Sequence, residues 1–226
     1  MAVGQRRSSQ VASGRELSYR SLSAGSKFVS KTSNTADDIL AAARTFIVAG
    51  GYNGFSYADV AEVIGIRKAS IHHHFPSKVD LVKTLVKRYL DDAVTGFAEL
   101  ERGVSEPAEL LRTYTGFWAQ CIEDASRPFC VCAQLASELP ALPLEVAVEV
   151  KAYFRFLSGW LTGVIERGAA QGVLTISASP RVEAEAFMAT VHGAMLSARA
   201  YGDVLTFGMI MAPTLQKLIP GTDRGG

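Results

Sequence analysis

Three cysteines in 226 residues are too few, and odd in number, to form a disulfide framework, which points to a reducing, cytoplasmic location. An apolar run of about 18 residues is also missing, so no membrane span is expected. The first residues hold no apolar segment of signal-peptide type. No alternating apolar and polar stretch is long enough for a sheet. Catalytic signatures are missing too: there is no G-x-S-x-G elbow, no H-E-x-x-H pair and no phosphate-cradling glycine loop, so no catalytic residue and no cofactor are assigned. Net charge is only +1. The little excess there is collects at the start, where Arg6, Arg7, Arg15, Arg20 and Lys27 face Glu16 alone. The rest is mildly acidic, a split that suits a small DNA-binding end on a neutral body.

What is present is helical periodicity almost throughout. Ile39, Leu40, Ala43, Phe46 and Ile47 share one face of a first helix over about residues 34–49. Ser56 caps a second helix carrying Val60, Ala61 and Ile64, and Gly65 ends it, because glycine tolerates the positive φ of a helix C-terminus. A third helix starts near Arg67 and Lys68 and runs to Phe75. Pro76 stops it and Ser77 caps the next. Two short helices joined by a tight turn, with basic residues opening the second, form a helix-turn-helix spacing. That basic end is the part that reaches bases and phosphates in a major groove.

Downstream, Leu81, Val82, Leu85, Val86 and Tyr89 form the buried face of a long fourth helix that ends near Gly103 and Pro107. A fifth runs from about Glu106 to Asp124. Arg127 and Pro128 open a shorter segment reaching about Leu139. Val146, Val150, Phe154, Leu157, Leu161 and Ile165 stripe a long seventh helix. Pro180 starts an eighth to about Tyr201, and a ninth ends near Ile219.

At Ala69-Ser70-Ile71-His72-His73-His74-Phe75-Pro76-Ser77-Lys78 the chain resembles the DNA-binding domain of TetR-type transcriptional regulators. The loop Gly50-Gly51-Tyr52-Asn53-Gly54-Phe55-Ser56 fits the same family, and the match covers about residues 35–85. One departure stands out: the family usually has tyrosine at the position of His72. The resemblance implies phosphate contacts by Ser56 or Tyr57, His72, His74 and Lys78. It implies base contacts by Lys68, Ala69, Ser70 and His73. Arg67 belongs either with these or among solvated surface charges. Three consecutive histidines do not form a metal site, because neighbours on a helix point about 100° apart.

The resemblance also implies a small-molecule site in the body. Tyr114, Phe117, Trp118, Cys121, Cys130, Phe154, Trp160, Met188, His192 and Met195 are the candidates, an apolar set with a few polar groups. For any one of them core packing is the competing role. The run from Phe129 to Glu138 has a narrower likeness to a subgroup of electrophile-sensing members that includes the N-ethylmaleimide reductase repressor. There Cys130 falls on a reactive cysteine and Arg199 on its lysine partner. Arginine can favour a thiolate but forms no comparable adduct, and an inert buried thiol is the alternative.

The expected fold is all-α: residues 1–30 a disordered basic tail, 31–78 a three-helix DNA-binding domain, 79–220 a ligand-binding and dimerisation domain, 221–226 a disordered tail. Residues 180–219 are expected to pair two chains as a homodimer, with Gly193, Ala194, Ser197 and Ala198 allowing close helix approach. The expected function is a repressor that a small effector releases from double-stranded operator DNA. The alternatives are a cysteine-based redox sensor and, from another class, a helical enzyme or an interaction module without DNA binding.

Overall fold

The computed structural model describes residues 34–125 and 129–220. The terminal tails expected from the sequence, and the Arg127-Pro128 opening of the sixth segment, lie outside these. The described residues form nine α-helices and no strand. They are α1 (Thr35–Gly50), α2 (Tyr57–Ile64), α3 (Lys68–His74), α4 (Lys78–Gly103), α5 (Pro107–Glu123), α6 (Val131–Ser137), α7 (Leu144–Ala170), α8 (Pro180–Tyr201) and α9 (Leu205–Leu218). A one-turn 3₁₀ helix, Leu139–Ala141, follows α6.

Local chemistry explains the boundaries. Ser56 and Ser77 each close a reciprocal capping box, with Asp59 and Asp80 three residues on. Two otherwise orphaned donors at each helix start are thereby satisfied. Gly65 sits in the left-handed region at φ 71°, and its own N–H and that of Ile66 bond back into α2. A side chain at that φ is disfavoured, so glycine sets the turn between α2 and α3.

Helices α1 to α3 bury Ile39, Ala43, Ile47, Val60 and Ile71 against the first turns of α4, where Leu81, Val82, Leu85 and Val86 complete the core. The long α4 continues into the body and lies along α7, while α8 packs on both α7 and α9. The apolar stripe of α7 (Val146, Val150, Leu157, Leu161, Ile165) is fully enclosed. Among the described residues no helix is long and apolar enough to cross a membrane.

The α8–α9 surface corrects one expectation. Ala194 and Ala198 are buried within the chain, because positions four apart on a helix share a face and that face meets the core. Gly193 and Leu196 point outward instead. Leu196 and Tyr201 on α8 and Leu205 and Met209 on α9 are exposed apolar side chains.

Candidate nucleic-acid interface and effector site

The surface built by α3 is the first site. Ile71 is its one buried residue and anchors the helix. Arg67, Lys68, Ala69, His72, His73 and His74 are exposed, and Ser70 is half-buried. A single inward residue leaves the whole opposite face for contact. His74 is open to solvent, where a phosphate can reach it.

His72 is held in place. Its ring meets Tyr57 edge-on at 4.8 Å, and Nδ1 lies 3.2 Å from the Pro76 carbonyl oxygen. A carbonyl oxygen only accepts, so Nδ1 carries the hydrogen. The neutral ring then has a bare, accepting Nε2. Such a ring cannot donate to a phosphate, whereas the imidazolium can.

Two expected phosphate contacts look different in the structure. Tyr57 is buried, and its hydroxyl donates to the Phe75 carbonyl at 2.9 Å. Burial first, then the charge of Asp80, raises its phenol to about 12. Of the Ser56 and Tyr57 pair only Ser56 is exposed, so Tyr57 acts as support for α3. Lys78 also turns inward. Its ammonium donates to the Phe55 carbonyl and lies 4.1 Å from the Phe55 ring centre and 5.0 Å from that of Tyr52. Desolvation depresses its pKa. In this conformation the charge staples α4 to the loop between α1 and α2.

The second site lies in the body. Trp160 on α7 stacks on Phe97 of α4 at 4.1 Å, and Tyr114 on α5 sits 5.8 Å from both rings. Trp118 follows Tyr114 by one turn and packs edge-on against Phe117 at 5.2 Å. On α8, His192 lies 5.3 Å from Phe154. Tyr114, Trp118, Cys121, Cys130, Met188 and Met195 are buried, while Phe117, Phe154, Trp160 and His192 are half-buried. Among the described residues, four buried side-chain polar atoms make no hydrogen bond: Tyr114 Oη, Trp118 Nε1, Trp160 Nε1 and His192 Nε2.

Cys130 caps the start of α6 at the floor of this region. The Tyr89 hydroxyl donates to its sulfur at 3.5 Å, and the thiol reaches the Tyr153 oxygen at 3.9 Å. Burial alone would raise the thiol, but His192, Tyr89 and the Ala133 N–H outweigh it, and the net shift is downward. Burial pushes Cys132, two residues further along, well up. The expected partner, Arg199, is engaged elsewhere: it donates to Gln134 at 3.2 Å and covers the Phe129 ring at 5.3 Å. The groups acting on Cys130 are therefore His192 and Tyr89. Sequence reasoning placed Tyr89 only in the core and gave Tyr153 and Phe97 no role. Aromatic residues at helical spacing carry no sign of what lies across from them.

The family model for bacterial regulatory proteins of the tetR family matches residues 39–85. The chain is similar to a TetR-family transcriptional regulator from Agrobacterium tumefaciens, with 61% identity, 81% of this chain and 97% of that chain covered, and a TM-score of 0.80. Reduced NemR from E. coli shares the fold at a TM-score of 0.71, with 84% and 100% of the two chains covered but 19% identity. Among curated proteins, the transcriptional repressor KstR2 of Mycolicibacterium smegmatis is 25% identical over 54% of this chain and 60% of its own length. A transcriptional activator of that organism is matched over 42% of its length. The chain thus spans about half the length of the curated relatives it matches.

Proposed function

The chain belongs to the TetR family of bacterial regulatory proteins, and from that premise we propose a homodimeric repressor that a small effector releases from operator DNA. The observation that carries the DNA-binding part is α3, which offers Lys68, Ser70 and three histidines on one open surface behind a single buried anchor. Ser56 flanks it on the capped start of α2, and Ser77 on that of α4. Phosphate contacts from these positions fix register, and the α3 side chains read base edges.

Two α3 helices must meet half-sites about one helical turn apart, so the reading requires a dimer. The exposed Leu196, Tyr201, Leu205 and Met209 supply an apolar face for a second copy through a four-helix packing of α8 and α9. Effector binding among Tyr114, Trp118, Trp160 and His192 acts on α5, α7 and α8 together. It favours a half-site separation that no longer fits DNA. The family is regulatory, so an enzymatic role has no support.

Selection of bound duplexes from a random pool tests the reading, followed by sedimentation of the complex. A palindromic site occupied by two chains is expected. Binding without sequence preference, or a monomer on DNA, would sink it.

A second reading rests on Cys130. A thiol drawn toward the thiolate by His192 and Tyr89, at the start of α6, could sense electrophiles directly.

A further inference from the structure

The four unpartnered polar atoms are not of mixed kind. An indole N–H only donates. The Trp118 indole lies near enough to the Tyr114 oxygen to act on that phenol but makes no hydrogen bond of normal geometry, and Trp160 Nε1 has no acceptor, so both N–H groups are open to a better one. The Tyr114 hydroxyl and the second nitrogen of His192 can donate as well. A buried donor without a partner costs about 1–3 kcal/mol, and four in one region are not kept without a compensating acceptor. The structure sets them in a continuous aromatic wall. Tyr114 and Trp118 sit one turn apart on α5, and Tyr114 faces Trp160 with Phe97 stacked behind it. Tyr153 bridges onward, close enough for its phenol to feel both Tyr114 and Cys130, and His192 with Phe154 closes the far end. None of the four atoms faces an ion pair: the six salt bridges of the described residues all lie elsewhere, at half-exposed to exposed arginines and lysines.

We infer that this region takes an uncharged aromatic compound carrying at least two hydrogen-bond-accepting oxygens, such as ketone, ester or ether oxygens. The inference rests on the effector site being here and names the chemistry of its ligand. A cation would satisfy the ring faces but leave both indole N–H groups orphaned. A carboxylate would accept from them, but its burial needs a cation, and Arg44, whose charge reaches Tyr89 and Cys132, is not among the groups acting on Tyr114. A pure hydrocarbon would leave all four atoms unpaired.

Trp118 and Trp160 are the two tryptophans of the whole chain, so the two indole N–H resonances of the ¹⁵N-labelled protein report this site alone. Four probes of similar size discriminate the chemistry: para-methoxyacetophenone, para-toluate, para-tolyltrimethylammonium and para-ethyltoluene. Para-methoxyacetophenone is expected to move both resonances downfield and saturably. Tyr114→Phe and Trp118→Phe should keep the fold and weaken that binding about tenfold each, the effect of one lost hydrogen bond. Equal or tighter binding of any of the other three probes overturns the assignment. Resonances that stay put with every probe up to its solubility limit overturn it too, because water then satisfies the donors. A gel shift run beside the titration judges the effector reading separately. If the ketone binds and DNA stays bound, the ligand class stands and the effector role of the site falls.

Discussion

The Glu138 carboxylate, just past the end of α6, accepts the backbone N–H of Tyr52 at 2.9 Å. The bond joins the body to the loop between α1 and α2. Gln134 donates to the other carboxylate oxygen at 3.3 Å, and Arg199 of α8 holds Gln134. About two turns of helix therefore separate Cys130, in the aromatic region, from a direct hold on the DNA-binding domain. Glu138→Ala should leave effector-free operator binding within a few-fold and blunt the loss of affinity that effector causes. A variant with unchanged effector response would show that coupling runs elsewhere, through α4.

Gly51 makes that hold possible. It sits at φ +75°, and a Cβ there would fall 1.8 Å from Glu138 Oε1. Gly51→Ala should cost roughly 1–3 kcal/mol from backbone strain alone, plus the clash. Adding Glu138→Ala should recover the clash share and not the strain. A double-mutant cycle in denaturant reads the coupling, and strictly additive losses would refute the contact.

Lys78 and Lys68 should separate by assay. The Lys78 ammonium is spent on the Phe55 carbonyl and two rings, so Lys78→Met should lower stability by about 1–3 kcal/mol. Its effect on the salt dependence of DNA binding should be well under one unit of slope. Lys68 is exposed on α3, and Lys68→Ala should cost about 1–3 kcal/mol on the cognate site with the fold intact. A stable Lys78→Met with a full unit lost from the slope would restore the phosphate role and reverse this assignment.

The helix boundaries were legible because capping and turn chemistry is local. Ser56, Gly65 and Ser77 announce their roles within four residues of sequence. The inward turn of Lys78 and Tyr57 was not legible, since their partners Phe55 and Phe75 are carbonyls that any residue could supply. Arg199 was misassigned to Cys130 for a related reason. Helical spacing gives the face of α8, but only the approach of α6 decides that Gln134 and Phe129, rather than the thiol, meet the guanidinium. His192 stood out in the sequence as a histidine outside α3, but its action on Cys130 depends on packing between helices that the sequence does not show.

His72 should make DNA binding depend on pH. With Nδ1–H turned to the Pro76 carbonyl, the neutral ring presents a lone pair to phosphate, and protonation converts that atom to a charged donor. Operator affinity should therefore rise about tenfold from an alkaline to an acidic buffer as that atom gains its proton. His73 and His74 share the surface and can contribute. His72→Tyr should therefore flatten the rise in part, because a phenol donates at both pH values. Fluorescence anisotropy at fixed ionic strength measures it, and a parent protein with pH-independent affinity would end the idea.

The two cysteines at the start of α6 should differ in reactivity. The net effect of His192 and Tyr89 draws Cys130 down, while burial drives Cys132 up. Near neutral pH the thiolate fraction, and with it the rate of alkylation, is therefore larger at Cys130. Both thiols are buried, so a small reagent such as iodoacetamide is needed, and the local opening that admits it acts on the two neighbours alike. Mass spectrometry of a time course should find Cys130 modified first. His192→Ala should remove the pull of the imidazole and slow the reaction several-fold, and Tyr89→Phe should slow it less. Arg199→Ala should leave it nearly unchanged, because the guanidinium is held by Gln134 and Phe129. If Arg199→Ala slows alkylation and His192→Ala does not, the guanidinium reaches the thiol in solution. Equal rates at Cys130 and Cys132 in the parent protein would remove the chemical ground for electrophile sensing and leave reversible binding as the signal.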